Sequence, residues 1–302
     1  VTAPLRLATR SSPLALAQAR SVQAMLELPS ELVEVSTRGD RDRSLPLAAI
    51  AGQGVFAKEV QAAVLEGRAD VAVHSAKDLP ASAEGPLRLA AVPERGDVRD
   101  ALVGKALGAL RAGDVVASGS PRRRVQLARL VPGLCLAQLR GNIETRLARV
   151  GDVDGVVVAS VALARLGLEP DALGVLDPEV MVPQAGQGAL ALECRKDDAG
   201  TRRLLGALDH SPSHVALDAE RAFLSTLGSG CDLPAGACAL TLGDGRVRLL
   251  GVLAGSDVRD GARAPGEDPP LARAVLEGSA GPALGERLAK ELRERLAELE
   301  SR

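Results

Sequence analysis

Asp78 has the sharpest chemical setting of any acid in this sequence. It lies in Asp70–Pro80 (DVAVHSAKDLP), where an apolar run delivers Ser75, Lys77 and Asp78 to its carboxyl end. A carboxylate among cations stays ionised, because neighbouring positive charge stabilises its charged form. At about 4 Å and an effective dielectric near 20, one such pair is worth roughly 4 kcal/mol before desolvation. An ionised carboxylate can accept a hydrogen bond from a heterocyclic N–H and stabilise cationic character developing on that ring. The plain alternative is a turn salt bridge between Lys77 and Asp78. His74 is a second candidate base, although a histidine on an apolar strand is more often a satisfied core residue.

Arginines gather in three other stretches. Ser118–Arg129 (SGSPRRRVQLAR) carries Arg122, Arg123, Arg124 and Arg129 and no acid, behind Ser118 and Ser120. Its Gly-Ser-Pro opening follows a strand and starts a helix, and helix N-termini attract anions through free N–H groups and partial positive charge. Forked guanidinium groups add bidentate recognition of carboxylate or phosphate. In Leu139–Leu147 (LRGNIETRL), Arg140 and Arg146 flank Gly141 and Asn142, a turn that opens a helix. In Ala8–Leu14 (ATRSSPL), Arg10, Ser11 and Ser12 fall between a strand and a helix. Any one of these could be a solvated basic face. All lie at strand-to-helix loops, so a parallel arrangement brings them to one cleft and implies a polyanionic small-molecule ligand.

Cys231 sits in Leu227–Gly236 (LGSGCDLPAG) between glycines, which let the backbone fold tightly and leave the thiol accessible. Such a thiol suits a nucleophile or a covalent anchor. Cys135 and Cys194, among apolar neighbours, read as small buried hydrophobes. A cysteine hydrolase would need a partnered histidine, and none is assignable by spacing.

The elements that must position these groups alternate. Strands are expected at Leu5–Thr9, Leu32–Thr37, Asp70–His74, Leu87–Val92, Asp114–Ser118, Leu134–Ala137, Gly155–Ala159 and Ala189–Glu193. Helices are expected at Pro13–Leu28, Val55–Leu65, Pro121–Leu130, Ile143–Val150 and Val161–Leu168. Such alternation implies a mainly parallel sheet with covered faces. Polar Pro93–Asp100 and Pro/Gly-rich Val182–Gly188 read as crossings out of one domain and back into it. A helix at His214–Leu227, strands at Ala237–Leu242 and Arg246–Leu253, and a helix with a stripe at Leu284, Leu288, Leu292 and Leu296 make a small α+β domain.

Composition narrows the function. The chain has 302 residues, a formal net charge of −2 and 1% aromatic residues, with no Trp or Tyr and two Phe. Near-neutral charge and absent stacking surfaces argue against a nucleic-acid binder. Four cysteines without a CxxC pair, and three histidines, leave no ordinary zinc spacing. No apolar run approaches the roughly 20 residues of a membrane span, and no secretory h-region is visible, so a cytoplasmic protein is expected.

At these residues the sequence resembles the hydroxymethylbilane synthase (porphobilinogen deaminase) family. The resemblance runs through LATRSSPLALAQA, GQGVFAKEV, DVAVHSAKDLP, GSPRRRVQL, LRGNIETRL, VALARLGL, QAGQGALALECR and GSGCDLPAGACA, which cover most of residues 5–240. Departures are Pro121, where a bulkier apolar residue is common, Gln53, where a basic one is, and the Gly/Pro/charge-rich Ser256–Pro270.

The resemblance implies an α/β fold of three domains: two periplasmic-binding-protein-like lobes with mixed sheets, and a small α+β C-terminal domain. The expected bounds are 1–93 with 188–208, then 97–184, then 211–302. It implies a dipyrromethane cofactor on Cys231 through a thioether, with Asp78 as the catalytic carboxylate that stabilises an azafulvenium-like species. Ser75, Lys77, Asp78, Ser118, Ser120, Arg122, Arg123, Arg140, Gly141 and Arg146 would hold the cofactor. Arg10, Ser12, Phe56, Lys58, Asn142, Arg165 and Gln187 would bind porphobilinogen. A monomer acting ahead of uroporphyrinogen-III synthase is implied, with no metal, nucleic acid or membrane partner. The alternative is a non-enzymatic two-lobed anion-binding or sensing module.

Overall fold

Short apolar runs broken by Pro, Gly and capping Ser produce three sheets. The computed structural model describes residues 3–37, 57–81, 85–228, 233–255 and 270–301. Phe56, Gln53, Cys231 and almost all of Ser256–Pro270 lie outside the described residues, as does the start of the helix expected from Val55.

The first sheet contains β1 (Leu5–Arg10), β2 (Ser30–Val35), β3 (Val71–Ser75), β4 (Leu87–Ala91) and β10 (Leu190–Arg195), in the order β2-β1-β3-β10-β4. β1 pairs parallel with β2 and β3, whereas β10 runs antiparallel to β3 and β4. The second sheet contains β5 (Asp100–Gly104), β6 (Val115–Ala117), β7 (Cys135–Ala137), β8 (Gly155–Ala159) and β9 (Leu173–Leu176), in the order β7-β6-β8-β5-β9. β6 pairs parallel with β7 and β8, and β5 runs antiparallel to β8 and β9. The lobes therefore share one topology. In each, the antiparallel strand enters along a crossing from the other lobe. The sheets are mixed, because a strand arriving by a crossing need not obey the direction set by strand–helix–strand units.

Helices α1 (Pro13–Met25) and α2 (Lys58–Leu65) belong to the first lobe, and α3 (Pro121–Leu130), α4 (Ile143–Leu147) and α5 (Ser160–Leu166) to the second. α1 is shorter than its apolar pattern suggests. Leu26 is already extended, and Leu28 precedes Pro29, which disfavours helical geometry. α5 stops at Gly167 in a left-handed cap, φ 64°. Elements unmarked in the sequence pattern include β5, β9, α6 (Ala199–Gly206) and the strand Leu271–Ser279.

The third sheet is an antiparallel meander of β11 (Ala235–Gly243), β12 (Arg246–Ala254) and β13 (Leu271–Ser279). α7 (Ser211–Thr226) and α8 (Pro282–Glu300) pack on it around Phe223, Leu249, Leu288 and Leu292, all essentially solvent-free. Leu284 and Leu288 are fully inside and Leu296 packs against the same core, so the terminal stripe is core. No described helix is long and apolar enough to cross a membrane.

Candidate active site

The candidate residues follow the carboxyl ends of parallel strands in both lobes, where α/β sheets place their ligands. Arg10 ends β1, and Ser12 caps α1 by accepting the Ala15 N–H at 3.3 Å. Ser75 ends β3, and Lys77 and Asp78 follow in a single 3-10 turn, Ala76–Asp78. In the second lobe Ser118 follows β6, and Ser120 caps α3 by accepting the Arg123 N–H at 3.5 Å. Pro13 and Pro121 both occupy the first helical turn, where no N–H is needed. Arg140 and Gly141 follow β7. Gly141 adopts φ 103° and a Cβ there would lie 2.8 Å from Thr145, which explains glycine at this turn. Asn142 caps α4 by accepting the Thr145 N–H at 2.8 Å. Arg165 projects from α5, after β8.

The parallel pairing of β1 with β3 sets Arg10 beside Asp78, with Arg10 Nη1 3.9 Å from Asp78 Oδ2. Their side chains are 22% and 31% exposed, so water screens this pair and leaves the carboxylate accessible. Burial pulls the Lys77 ammonium down to about 8; Asp78 and Asp100 oppose that shift, while Arg123 and Arg146 reinforce it. Burial, then Arg123, lowers Arg146 to about 10 against the pull of Asp78. These influences join Lys77 and Asp78 of the first lobe to Arg123, Arg146 and Asp100 of the second. Both lobes thus contribute to one electrostatic neighbourhood.

A small cavity between the lobes is lined by Gln18, Ser75 and Lys77 on one side and by Val161, Ala162 and Arg165 on the other. Gln18 is buried on α1 and faces Ser75 Oγ with its amide nitrogen at 2.8 Å and its amide oxygen at 3.0 Å. Arg165 donates to the Gly188 carbonyl at 2.8 Å, and burial lowers it to about 10. Arg146 donates to the Gly141 carbonyl at 2.8 Å. Neither Arg146 nor Arg165 has a carboxylate within ion-pair distance among the described residues.

Burial sorts the remaining residues and overturns one expectation, that of a buried Cys135. Arg122 and Arg123 are buried, at 3% and 6% exposure, and both bind Asp100. Their guanidinium groups form part of the cleft wall around that carboxylate. Asp100, the last residue of the polar stretch Pro93–Asp100, opens β5 and is fully buried. Cys135 is exposed: it opens an edge strand, and Leu134 and Leu136 on either side pack on the core instead. Cys194 is buried as expected, and burial pushes the Cys238 thiol up to about 12.

His74 is a core residue. Its Nε2 lies 3.2 Å from Glu193 Oε2, with both side chains at most 7% exposed. Lys58 is exposed at the first position of α2 and makes no side-chain hydrogen bond or ion pair among the described residues. Gln187 is buried on the second crossing, against Asp100.

The ends of the Cys231 loop are described. Gly228 ends α7 with φ 66°, and Leu233 packs on the third core. Five residues past Cys231, Gly236 abuts the cleft wall: a Cβ there would lie 2.7 Å from Arg122 Cδ and 2.6 Å from the Pro183 carbonyl oxygen. The third unit is held to both crossings by a buried pair. Arg95 binds Glu220 at 2.7 and 3.0 Å, and Glu220 also accepts the Gly186 and Ala239 N–H groups. Sequence reasoning missed Gln18, Arg95, Asp100 and Glu220. For Asp100 the available signal was an acid directly ahead of the apolar Ala101–Val103.

Two lobes of one topology, a cation-rich cleft holding an accessible acid, and a third sheet unit abutting the cleft wall define a two-lobed α/β protein of the ligand-enclosing kind. Residues 5–203 match the family described as porphobilinogen deaminase, dipyromethane cofactor binding domain, and residues 215–294 match porphobilinogen deaminase, C-terminal domain. The chain belongs to the porphobilinogen deaminase family, which serves tetrapyrrole synthesis. Among solved structures it is similar to an ABC transporter periplasmic substrate-binding protein from Coxiella burnetii, at 17% identity, covering 72% of this chain and 96% of that one, TM-score 0.43. It is also similar to a nutrient binding protein from Burkholderia cenocepacia bound to methionine, at 14% identity, 67% and 89% coverage, TM-score 0.41.

Proposed function

We propose that this protein is a hydroxymethylbilane synthase, a transferase that condenses four porphobilinogen molecules onto a covalent dipyrromethane primer and then hydrolyses off the linear tetrapyrrole. We read the three sheets as three domains, at 1–93 with 188–208, 97–184 and 211–302. One observation carries the reading: Asp78 stands accessible at the end of β3, 3.9 Å from Arg10 and within the electrostatic reach of Lys77 and Arg146.

The side chains fit a polycarboxylate primer. Arg146 and Arg165 are partly desolvated cations with no ion-pair carboxylate among the described residues. Each pyrrole ring brings two carboxylates, and charge-assisted hydrogen bonds to them contribute about 1.5–3 kcal/mol each. Lys77, Arg140, Arg146 and Ser75 would hold the primer, with Cys231 as its covalent anchor. Bound there, the primer supplies the free pyrrole carbon onto which the chain grows. Arg10 and Arg165 would orient the incoming porphobilinogen by its acetate and propionate groups, while Gln187, expected beside them, is buried with its amide N–H groups given to Asp100 and Val98.

Asp78 accepts the pyrrole N–H of that substrate and stabilises the positive charge that develops on the ring as ammonia leaves. Growth concentrates negative charge, which the arginines of the second lobe offset. The product would pass to a uroporphyrinogen-III synthase.

Intact-protein mass tests this reading. The purified holoenzyme should carry the mass of a dipyrrole, and Cys231→Ala should lose it. An unmodified protein that binds porphobilinogen without consuming it would replace the reading with a non-enzymatic two-lobed binding module.

A further inference from the structure

Asp100 is fully buried, yet it is a charged residue opening β5, a strand paired on both sides. A carboxylate out of water is tolerated when donors of opposite charge occupy its lone pairs. Arg122 Nη2 donates to Oδ2 at 2.8 Å, Arg123 Nε and Nη2 donate to Oδ1 at 3.1 and 2.7 Å, and Gln187 Nε2 donates to Oδ1 at 2.8 Å. Burial pushes this carboxyl up, and the two arginines override it, holding it well below the usual carboxylate range.

The two arginines are adjacent on the first turn of α3, so their side chains leave the helix about 100° apart. They converge because one carboxylate lies beneath both. Backbone carbonyls brace each from the far side: Val182 accepts from Arg122 Nη1, and Val157 accepts from Arg123 Nη1 at 3.0 Å. Two packed guanidinium groups repel, and the carboxylate between them cancels one of their two charges. Gln187 adds a tie to the second crossing. It also donates to the Val98 carbonyl at 2.8 Å, and its own Oε1 is left without a partner. An orphaned buried acceptor costs stability, so the two donations from Nε2 must offset it.

We propose that Asp100 is a positioning residue: it pins the Arg122–Arg123 pair and, through Gln187, fixes that pair to the crossing between the lobes, so the cleft presents a rigid, half-neutralised cationic wall to its polycarboxylate ligand. The role rests on the proposed function. Because Asp100 acts through the arginines and touches no reacting atom, it governs how tightly carboxylates are held and not the bond-making step.

The test is steady-state consumption of porphobilinogen by holoenzyme whose primer occupancy has been read by intact mass. Asp100→Asn should raise KM about tenfold or more while kcat of the loaded enzyme changes less than about threefold. Asp100→Glu, which keeps the charge but moves it by one methylene, should show a smaller rise of about threefold. A folded Asp100→Asn protein that carries no primer is the extreme of the expected loss.

Unchanged KM in folded Asp100→Asn, or a tenfold fall in kcat at unchanged KM, overturns the proposal. If Asp100→Asn does not fold, Asp100→Glu decides, and wild-type KM in that variant overturns it. Wild-type protein without primer and without turnover would instead remove the proposed function itself.

Discussion

In the first lobe the acid at the cleft stands partly in water. Asp78 keeps 31% of its side chain exposed and meets Arg10 at 3.9 Å, beyond hydrogen-bonding distance. In the second lobe Asp100 has no exposure and accepts from two arginines and a glutamine at 2.7–3.1 Å. One topology thus handles its acids in opposite ways. A carboxylate that must meet a changing ligand keeps unfilled acceptor capacity, whereas one that holds its neighbours has none to spare. Proximity to arginine does not separate the two roles, but the occupancy of the lone pairs does.

The comparison breaks most visibly through stability. Asp100→Ala leaves two buried guanidinium groups facing a void, and it should cost about 3–5 kcal/mol of unfolding free energy. Asp78→Ala should cost less than about 1 kcal/mol, because its ion pair is loose and screened. Denaturant unfolding of both variants would decide, and equal losses would erase the distinction between the lobes. Activity should give the converse for the exposed acid. Asp78→Asn should keep fold and primer while turnover falls at least about a hundredfold, or ~2.7 kcal/mol of barrier. Retention of a tenth of wild-type turnover would remove Asp78 from the chemistry.

Lys77 sharpens the picture through pH. With the ammonium at about 8, its charge disappears as pH rises through that value, and the cleft loses a cation. The charged fraction falls about tenfold between pH 7 and 9, so KM should climb about fivefold over that span. Stability should move the other way. The unfolded lysine, at the ordinary 10.5, binds more protons than the folded one between pH 8 and 10.5, so unfolding free energy rises with pH there. Lys77→Arg stays charged and should flatten the alkaline rise in KM. An identical rise in that variant would assign it to another group. Asp100 has the same sign at the acid end of the scale, because its folded value also lies below its unfolded one. Its depressed folded value means its stabilisation is present above the ordinary carboxylate range and is lost as pH falls through that range.

The smallest effect belongs to Arg146. Half-buried on the short α4, it should contribute within about 0.5 kcal/mol to stability, yet Arg146→Ala should increase the share of short enzyme-bound intermediates on native gels. A distribution matching wild type would detach it from chain growth.

Much of this architecture was legible in the residues. Pro121–Leu130 and Gly155–Ala159 have the bounds their patterns suggest, because a Ser-Pro start and a β-branched run are local signals. The loops bearing Arg10, Lys77, Asp78, Arg140 and Arg146 were legible for the same reason. Asp100 was not: one acid at the end of a polar stretch looks like linker until its strand is paired with β8 and β9. Gln18 and Glu220 were hidden similarly, since each looks like an ordinary polar helical residue until its partner arrives from 57 or 125 positions away.

Residue order alone determined which side chains sit at strand ends, because capping, proline placement and hydrophobic period act within a few neighbours. It also determined that cations outnumber acids in those loops. Only the tertiary structure decided which of these cations pair with the buried Asp100 and which stand without such a partner. That choice depends on burial and on contacts between distant segments, where desolvation makes an unpaired charge costly and a filled lone pair unavailable.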